Sequence, residues 1–137
     1  MNAAAMSMPT GKPMKIVALL GLAGVVATLP LPLFAADAGK GKALFEACGK
    51  CHAVTAESDA DLVGPTLKGI VGRKSASIED FRYSSAMRAS GITWTEQNLK
   101  EYITDPQAKV KGNRMALKSS FESAEIDDIV AYLKTLK

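Results

Sequence analysis

Both cysteines of the chain and its only histidine fall within five residues, Cys48-Gly49-Lys50-Cys51-His52. In that order they form a C-x-x-C-H haem-attachment sequence. Each thiolate can add to one haem vinyl group, the two intervening residues set the sulfurs at vinyl spacing, and the adjacent imidazole is aimed at the iron. Other uses of a Cys-x-x-Cys pair fit less well. A thioredoxin-like dithiol expects a βαβ context, and none is visible. A tetrahedral zinc site needs four ligands, and two Cys and one His supply only three. A structural disulfide leaves His52 without a role. The motif therefore predicts one covalent haem c on Cys48 and Cys51, with His52 as an iron ligand.

The N-terminus reads as an export segment. Lys12 and Lys15 form a basic region, Ile16 to Phe34 is apolar and uncharged, and Pro30 and Pro32 break any helix before Leu33-Phe34-Ala35-Ala36. This is a secretory signal pattern, with cleavage expected after Ala35. The alternative is an uncleaved anchor, since about 18 apolar residues nearly span a bilayer. On either reading residues 36–137 are exported and form one small haem domain, placed in the periplasm. Taking residues 1–35 from a chain of 137 leaves 102, enough for a modest core to which a buried haem adds apolar surface.

The whole-chain charge of +3 overstates the basicity of that domain. Of the 17 Lys and Arg, 15 follow residue 35, as do all 14 acids, so the domain is near +1. No basic run with interleaved aromatics is present, which argues against nucleic acid as a partner. Positive charge is local instead: Lys50, Lys68, Lys109, Lys111, Arg114 and Lys118 flank the expected ligands.

Three helices stand out. Lys40 to Cys48 places Ala43, Leu44, Ala47 and Cys48 on one face and leads into the motif. Thr95 to Asp105 carries Leu99, Tyr102 and Ile103 on one face; Thr93 and Glu96 suggest a capping box, and Pro106 ends it. Ala124 to Lys134, with Ser123 as N-cap, carries the stripe Ile126, Ile129, Val130, Leu133 and Leu136. Between them lie stretches rich in Gly, Pro and Ser, and no segment alternates with period two. The expected fold is all-α, with three main helices and long loops ordered around the haem.

With His52 the only imidazole, a second axial ligand within the chain is Met, Lys, water or nothing. Of six methionines, Met1, Met6, Met8 and Met14 lie in the export segment, leaving Met87 and Met115. Met115 sits in a Gly-containing loop, Lys109 to Leu117, between the second and third helices, where it can cross the open haem face. Met87 follows Ser84-Ser85-Ala86 and serves equally well as packing.

Several stretches together carry a resemblance: Gly41-Lys42-Ala43-Leu44-Phe45, the haem motif, Gly64-Pro65-Thr66-Leu67-Lys68-Gly69, Gly72-Arg73-Lys74, Gly91-Ile92-Thr93-Trp94, Glu101 to Pro106, and Ala131-Tyr132-Leu133-Lys134. Over residues 39 to 137 the chain resembles the small soluble cytochromes c, the mitochondrial protein and its bacterial relatives. The resemblance implies that the first and last helices cross, with Gly41 and Phe45 near Ile129 and Tyr132. It implies that Met115 is the second ligand and that the Pro65 carbonyl accepts the second N–H of His52. It further implies that Arg73, Tyr83, Ser84 and Trp94 serve the inner propionate, and that Tyr102 lies near the Met115 sulfur. Within this likeness the chain has Lys111, Asn113 and Leu117 where the family commonly has Pro, Thr and Phe, and Met87 where Asn is frequent.

The expected function is single-electron shuttling, without a catalytic acid, base or nucleophile. A monomer would meet membrane or periplasmic redox proteins, donor and acceptor, at a haem edge ringed by Lys and Arg. The rival readings are an open-site haem enzyme or gas binder of peroxidase type, disfavoured by Met115, and a haem subunit fixed to a dehydrogenase or oxidase complex.

Overall fold

A computed structural model describes residues 35–55 and 62–137. All of them belong to one compact unit. The export reading of residues 1–35 lies outside the described residues, apart from Ala35. Among the described residues six helices follow in order: α1 (Ala38–Leu44), α2 (Glu46–Gly49), α3 (Ser85–Ser90), α4 (Glu96–Thr104), α5 (Pro106–Lys109) and α6 (Ser123–Leu133). Among the described residues the only strand-like pairing is one antiparallel bridge, Lys74 to Thr93, and the all-α expectation holds.

The helix expected over Lys40–Cys48 is divided. Asp37 caps α1 through its Oδ1, which accepts from Gly39 N at 2.8 Å and Lys40 N at 3.2 Å. The chain then tightens at Phe45, whose carbonyl accepts from both Cys48 N and Gly49 N at 2.8 Å, and continues as α2. The buried residues are Gly41 and Phe45, four apart on one face. Ala43, on the face expected from apolar spacing, is exposed, and Leu44 is half-buried. The reason is that the close partner of α6 is a glycine, which carries no hydrophobic signal.

Both expected caps are displaced by a residue or two. Thr95, not Thr93, caps α4, its Oγ1 accepting from Asn98 N at 3.1 Å. The extended backbone that an N-cap needs falls at Thr95, and Thr93 belongs to the bridge. Glu122, not Ser123, caps α6; its N–H donates to Glu125 Oε2 at 2.8 Å, and Ser123 is the first helical residue. Asp105 is extended, as a residue before proline tends to be, so α4 stops there and Pro106 starts α5. The short α3 was not expected. Six residues carry too little periodicity, although its ends are marked by Ser84, which caps it, and Gly91, left-handed at φ 62°.

α1 packs on α6 backbone to backbone. A Cβ on Gly41 would stand 1.9 Å from Asp128 O and 2.5 Å from its carbonyl carbon. Beside it Phe45 and Tyr132 pack with ring centroids 5.3 Å apart, and Asp37 N donates to Asp128 Oδ1 at 2.6 Å. The core face of α6 is Ile126, Ile129, Val130 and Leu133, with Ile129 fully buried; side chains of this kind contribute roughly 1.5–3 kcal/mol each. Leu136 lies beyond the helix and is half-buried. α4 lies against the same helix and buries Leu99, Tyr102 and Ile103. Exposed pairs Lys100–Asp127 at 2.6 Å and Lys134–Glu96 at 2.7 Å add little to it.

Gly41→Ala should force α1 away from the α6 backbone, which cannot yield as a flexible side chain would. The expected loss is at the upper end of the ~1–3 kcal/mol usual for overpacking, read as a lower midpoint in denaturant unfolding.

Candidate functional site

α2 delivers Cys48, half-buried, and the turn after it delivers Cys51, exposed. Cys51 N and His52 N both donate to the Cys48 carbonyl at 3.0 Å, so both thiols and the imidazole ride on one tight turn. Two short segments then run together. Gly64 N donates to Cys51 O at 2.9 Å and Leu67 N to Ala53 O at 2.9 Å. The Thr66 hydroxyl donates to Thr55 O at 2.5 Å.

This pairing brings Pro65 to His52. The ring Nδ1 lies 2.7 Å from the Pro65 carbonyl oxygen. A carbonyl only accepts, so Nδ1 carries the proton and Nε2 keeps its lone pair. Burial lowers the His52 pKa, and the bond to Pro65 opposes that shift without reversing it, so the ring is neutral, as a metal ligand must be. Gly64 makes the approach possible: a Cβ there would stand 2.5 Å from His52 Cε1 and 2.7 Å from Cys51 O. Burial raises the Cys48 pKa, with the neighbouring Cys51 adding to it.

A second group of expected residues is joined by backbone. Trp94 N donates to Arg73 O at 2.8 Å, and Gly72 N donates to Trp94 O at 2.8 Å, so Arg73 and Trp94 face each other across the bridge. The Arg73 guanidinium donates to Lys68 O at 2.8 Å and Thr66 O at 2.7 Å, which holds it beside the His52 loop. Burial lowers the Arg73 pKa and raises that of Tyr83, and each group partly offsets the other's shift. The Tyr83 ring lies 4.7 Å from that of Phe81. Ser84 is buried and spends its hydroxyl oxygen on Met87 N at 3.0 Å.

The third group surrounds the methionines. Trp94 and Tyr102 pack with centroids 4.9 Å apart, and burial pushes the Tyr102 hydroxyl up to about 12. That hydroxyl donates to Asn113 Oδ1 at 3.0 Å, the same atom that accepts from Met115 N at 2.7 Å. Met115 is half-buried in the loop after α5. Met87 is buried inside α3, its sulfur 4.0 Å from Ser90 Oγ. Sequence reasoning missed Gly64 and Asn113 as site residues. The first was visible as a glycine before the Pro65 carbonyl; the second gave no signal beyond being polar in a loop.

Lys109 departs from the expectation of a free basic rim. Its ammonium binds the Glu101 carboxylate and Asn98 Oδ1, the latter at 2.8 Å, and this bonding holds the Glu101 pKa down. Lys50, Lys68, Lys111, Arg114 and Lys118 are exposed. Among the described residues no group of three or more His, Cys, Asp or Glu is arranged to hold a metal ion.

The donor set fits a covalent haem: two adjacent thiols not joined to each other, a neutral imidazole anchored by one nitrogen, and a glycine leaving the ring its space. The sequence profile of the cytochrome c family matches residues 38–137. The chain belongs to the cytochrome c family. Cytochrome c2 of Blastochloris viridis is 41% identical over 110 residues, covering 80% of this chain and 86% of that one. Cytochrome c-550 of Nitrobacter winogradskyi is 46% identical over 97 residues, covering 71% and 88%. In three dimensions the chain is similar to cytochrome cH from Methylobacterium extorquens, with a TM-score of 0.65 at 40% identity, covering 72% of this chain and 98% of that one. As a cytochrome c the protein carries covalent haem c and transfers electrons.

Gly64→Ala should push the imidazole off the Pro65 carbonyl. A stability loss on the order of 1–3 kcal/mol is expected, together with faster solvent exchange of the His52 Nδ1 proton, observed by NMR.

Proposed function

We propose that this cytochrome is an exported, periplasmic one-electron carrier, with His52 and Met115 as the axial ligands and no enzymatic activity of its own. The observation that carries this reading is the His52 ring, held by Pro65 with its other nitrogen left for the iron, next to the two thiols. Bound haem supplies a one-electron couple, and the chain sets its potential through ligands, burial and hydrogen bonds. Cys48 and Cys51 tether the group. Pro65 fixes the His52 tautomer and strengthens the imidazole as a donor. Arg73, Tyr83, Ser84 and Trp94 stand on the inner propionate side; the Arg73 cation and the Tyr83 phenol each influence the other's titration. Tyr102 belongs to the Met115 side. Met115 is favoured over Met87 because it sits in a loop with no helix of its own, whereas Met87 is locked into the core by α3.

Partners are donor and acceptor redox proteins of acidic surface, met by a monomer. The steering charges are Lys50, Lys111, Arg114 and Lys118, exposed around the Cys48–His52 turn and the Met115 loop. Lys109 contributes less, because Glu101 already balances it. Such charges speed encounter rather than hold the complex, and are screened over about 8 Å at physiological salt.

Mass spectrometry of the denatured protein should find one haem bound through Cys48 and Cys51; a haem-free chain would sink the proposal. Met115→Ala should lower the reduction potential by a sizeable share of the ~0.8 V that axial ligation spans, while Met87→Ala should instead cost about 2–5 kcal/mol of stability. The second-order rate with an acidic redox partner should fall as salt rises. Lys111→Gln should weaken that salt dependence more than Lys109→Gln does, and equal effects would show that the Glu101 pairing does not remove Lys109 from the field.

A further inference from the structure

We infer that Asn113 is the positioning residue for Met115, the side chain that fixes the loop carrying the sulfur. The inference rests on the reading of Met115 as the second axial ligand. Residues 113 to 122 form neither helix nor strand, so their backbone polar groups need partners from elsewhere. Asn113 supplies one for Met115 from inside: it is 7% exposed. Its Nδ2 donates to Pro106 O at 2.7 Å and Val110 O at 2.8 Å. Its Oδ1 accepts from the Tyr102 hydroxyl at 3.0 Å and from Met115 N at 2.7 Å.

A carboxamide offers two donors and two acceptor lone pairs, and all four are used. The last bond reaches two residues along the chain, so Asn113 bends the backbone directly into Met115. One side chain thereby ties α4, through Tyr102, and α5, through Pro106, to the backbone of Met115. Gln107 grips the same turn from outside: its Nε2 donates to Asn113 O at 3.1 Å and its Oε1 accepts from Gly112 N at 3.2 Å. Gly112, at φ 86°, turns the chain between them. Neither leucine nor threonine reproduces the set; leucine has no polar atom and threonine only one donor.

The test uses the ferric holoprotein and imidazole as the competing iron ligand. Asn113→Leu should raise the affinity for imidazole by about tenfold or more, because a freed loop surrenders the sulfur more readily. Asn113→Thr should give a smaller rise, and Met115 N–H should exchange faster with solvent in both. Ile129→Val, which thins the core between α1 and α6, should lower the unfolding midpoint and leave imidazole affinity unchanged, separating positioning from general stability. Met115→Ala should raise the affinity most. Parental imidazole affinity in the Asn113 variants, with a raised affinity in Met115→Ala, would overturn the inference and leave the ligand reading intact. If Asn113→Leu does not fold, Asn113→Thr decides by the same criterion. Unchanged affinity in Met115→Ala would remove the ligand reading itself, and the inference with it.

Discussion

The bond from the His52 ring to the Pro65 carbonyl, at 2.7 Å, is where local chain geometry becomes chemistry. It requires residues 51–55 and 64–67 to run side by side, which the backbone bonds Gly64 to Cys51 and Leu67 to Ala53 enforce. It requires position 64 to have no side chain. It also draws in Arg73, whose guanidinium clasps the carbonyls of Thr66 and Lys68 and whose backbone is bridged to Trp94. Thus an imidazole fixed at one nitrogen connects the motif, Arg73 and Trp94 and, through the Trp94–Tyr102 ring pair, the loop of Met115.

Much of this was legible in the sequence because it depends on short spacing. Five consecutive residues contain the attachment chemistry, and Pro106 marks the stop after α4 whatever the tertiary context. The stripe Ile126, Ile129, Val130 and Leu133 reads correctly because α6 buries one face against two other helices. The α1 contact was legible only through family resemblance. Apolar periodicity pointed to Ala43 and Leu44, while the residues that meet α6 are Gly41, selected for its lack of a side chain, and Phe45.

What stayed hidden depends on backbone angles or on partners brought together by turns. Thr93 and Thr95, like Glu122 and Ser123, are equally good caps by residue type, and which of them is extended decides the matter. Lys109 meets Glu101 across the corner between α4 and α5, eight residues apart, outside the i,i+4 rule of a single helix. Asn113 gathers partners three to eleven residues away, plus Met115, beside a turn in which Gly112 takes a positive φ. A polar loop residue and a buried fourfold staple have the same sequence appearance.

The contact of Asp37 with Asp128 joins residues 91 positions apart, and with the Gly41 approach it makes the beginning of the domain dependent on its end. Closing so long a loop costs only a logarithmic entropy increment, yet the partner must exist before the loop can close. During synthesis from the N-terminus, α1 has no surface to dock on until α6 has been made. The Cys48–His52 segment, two turns further along, is consequently presented on undocked chain through most of elongation. A product truncated ahead of residue 123 would keep both thiols accessible without ever acquiring the frame that holds them.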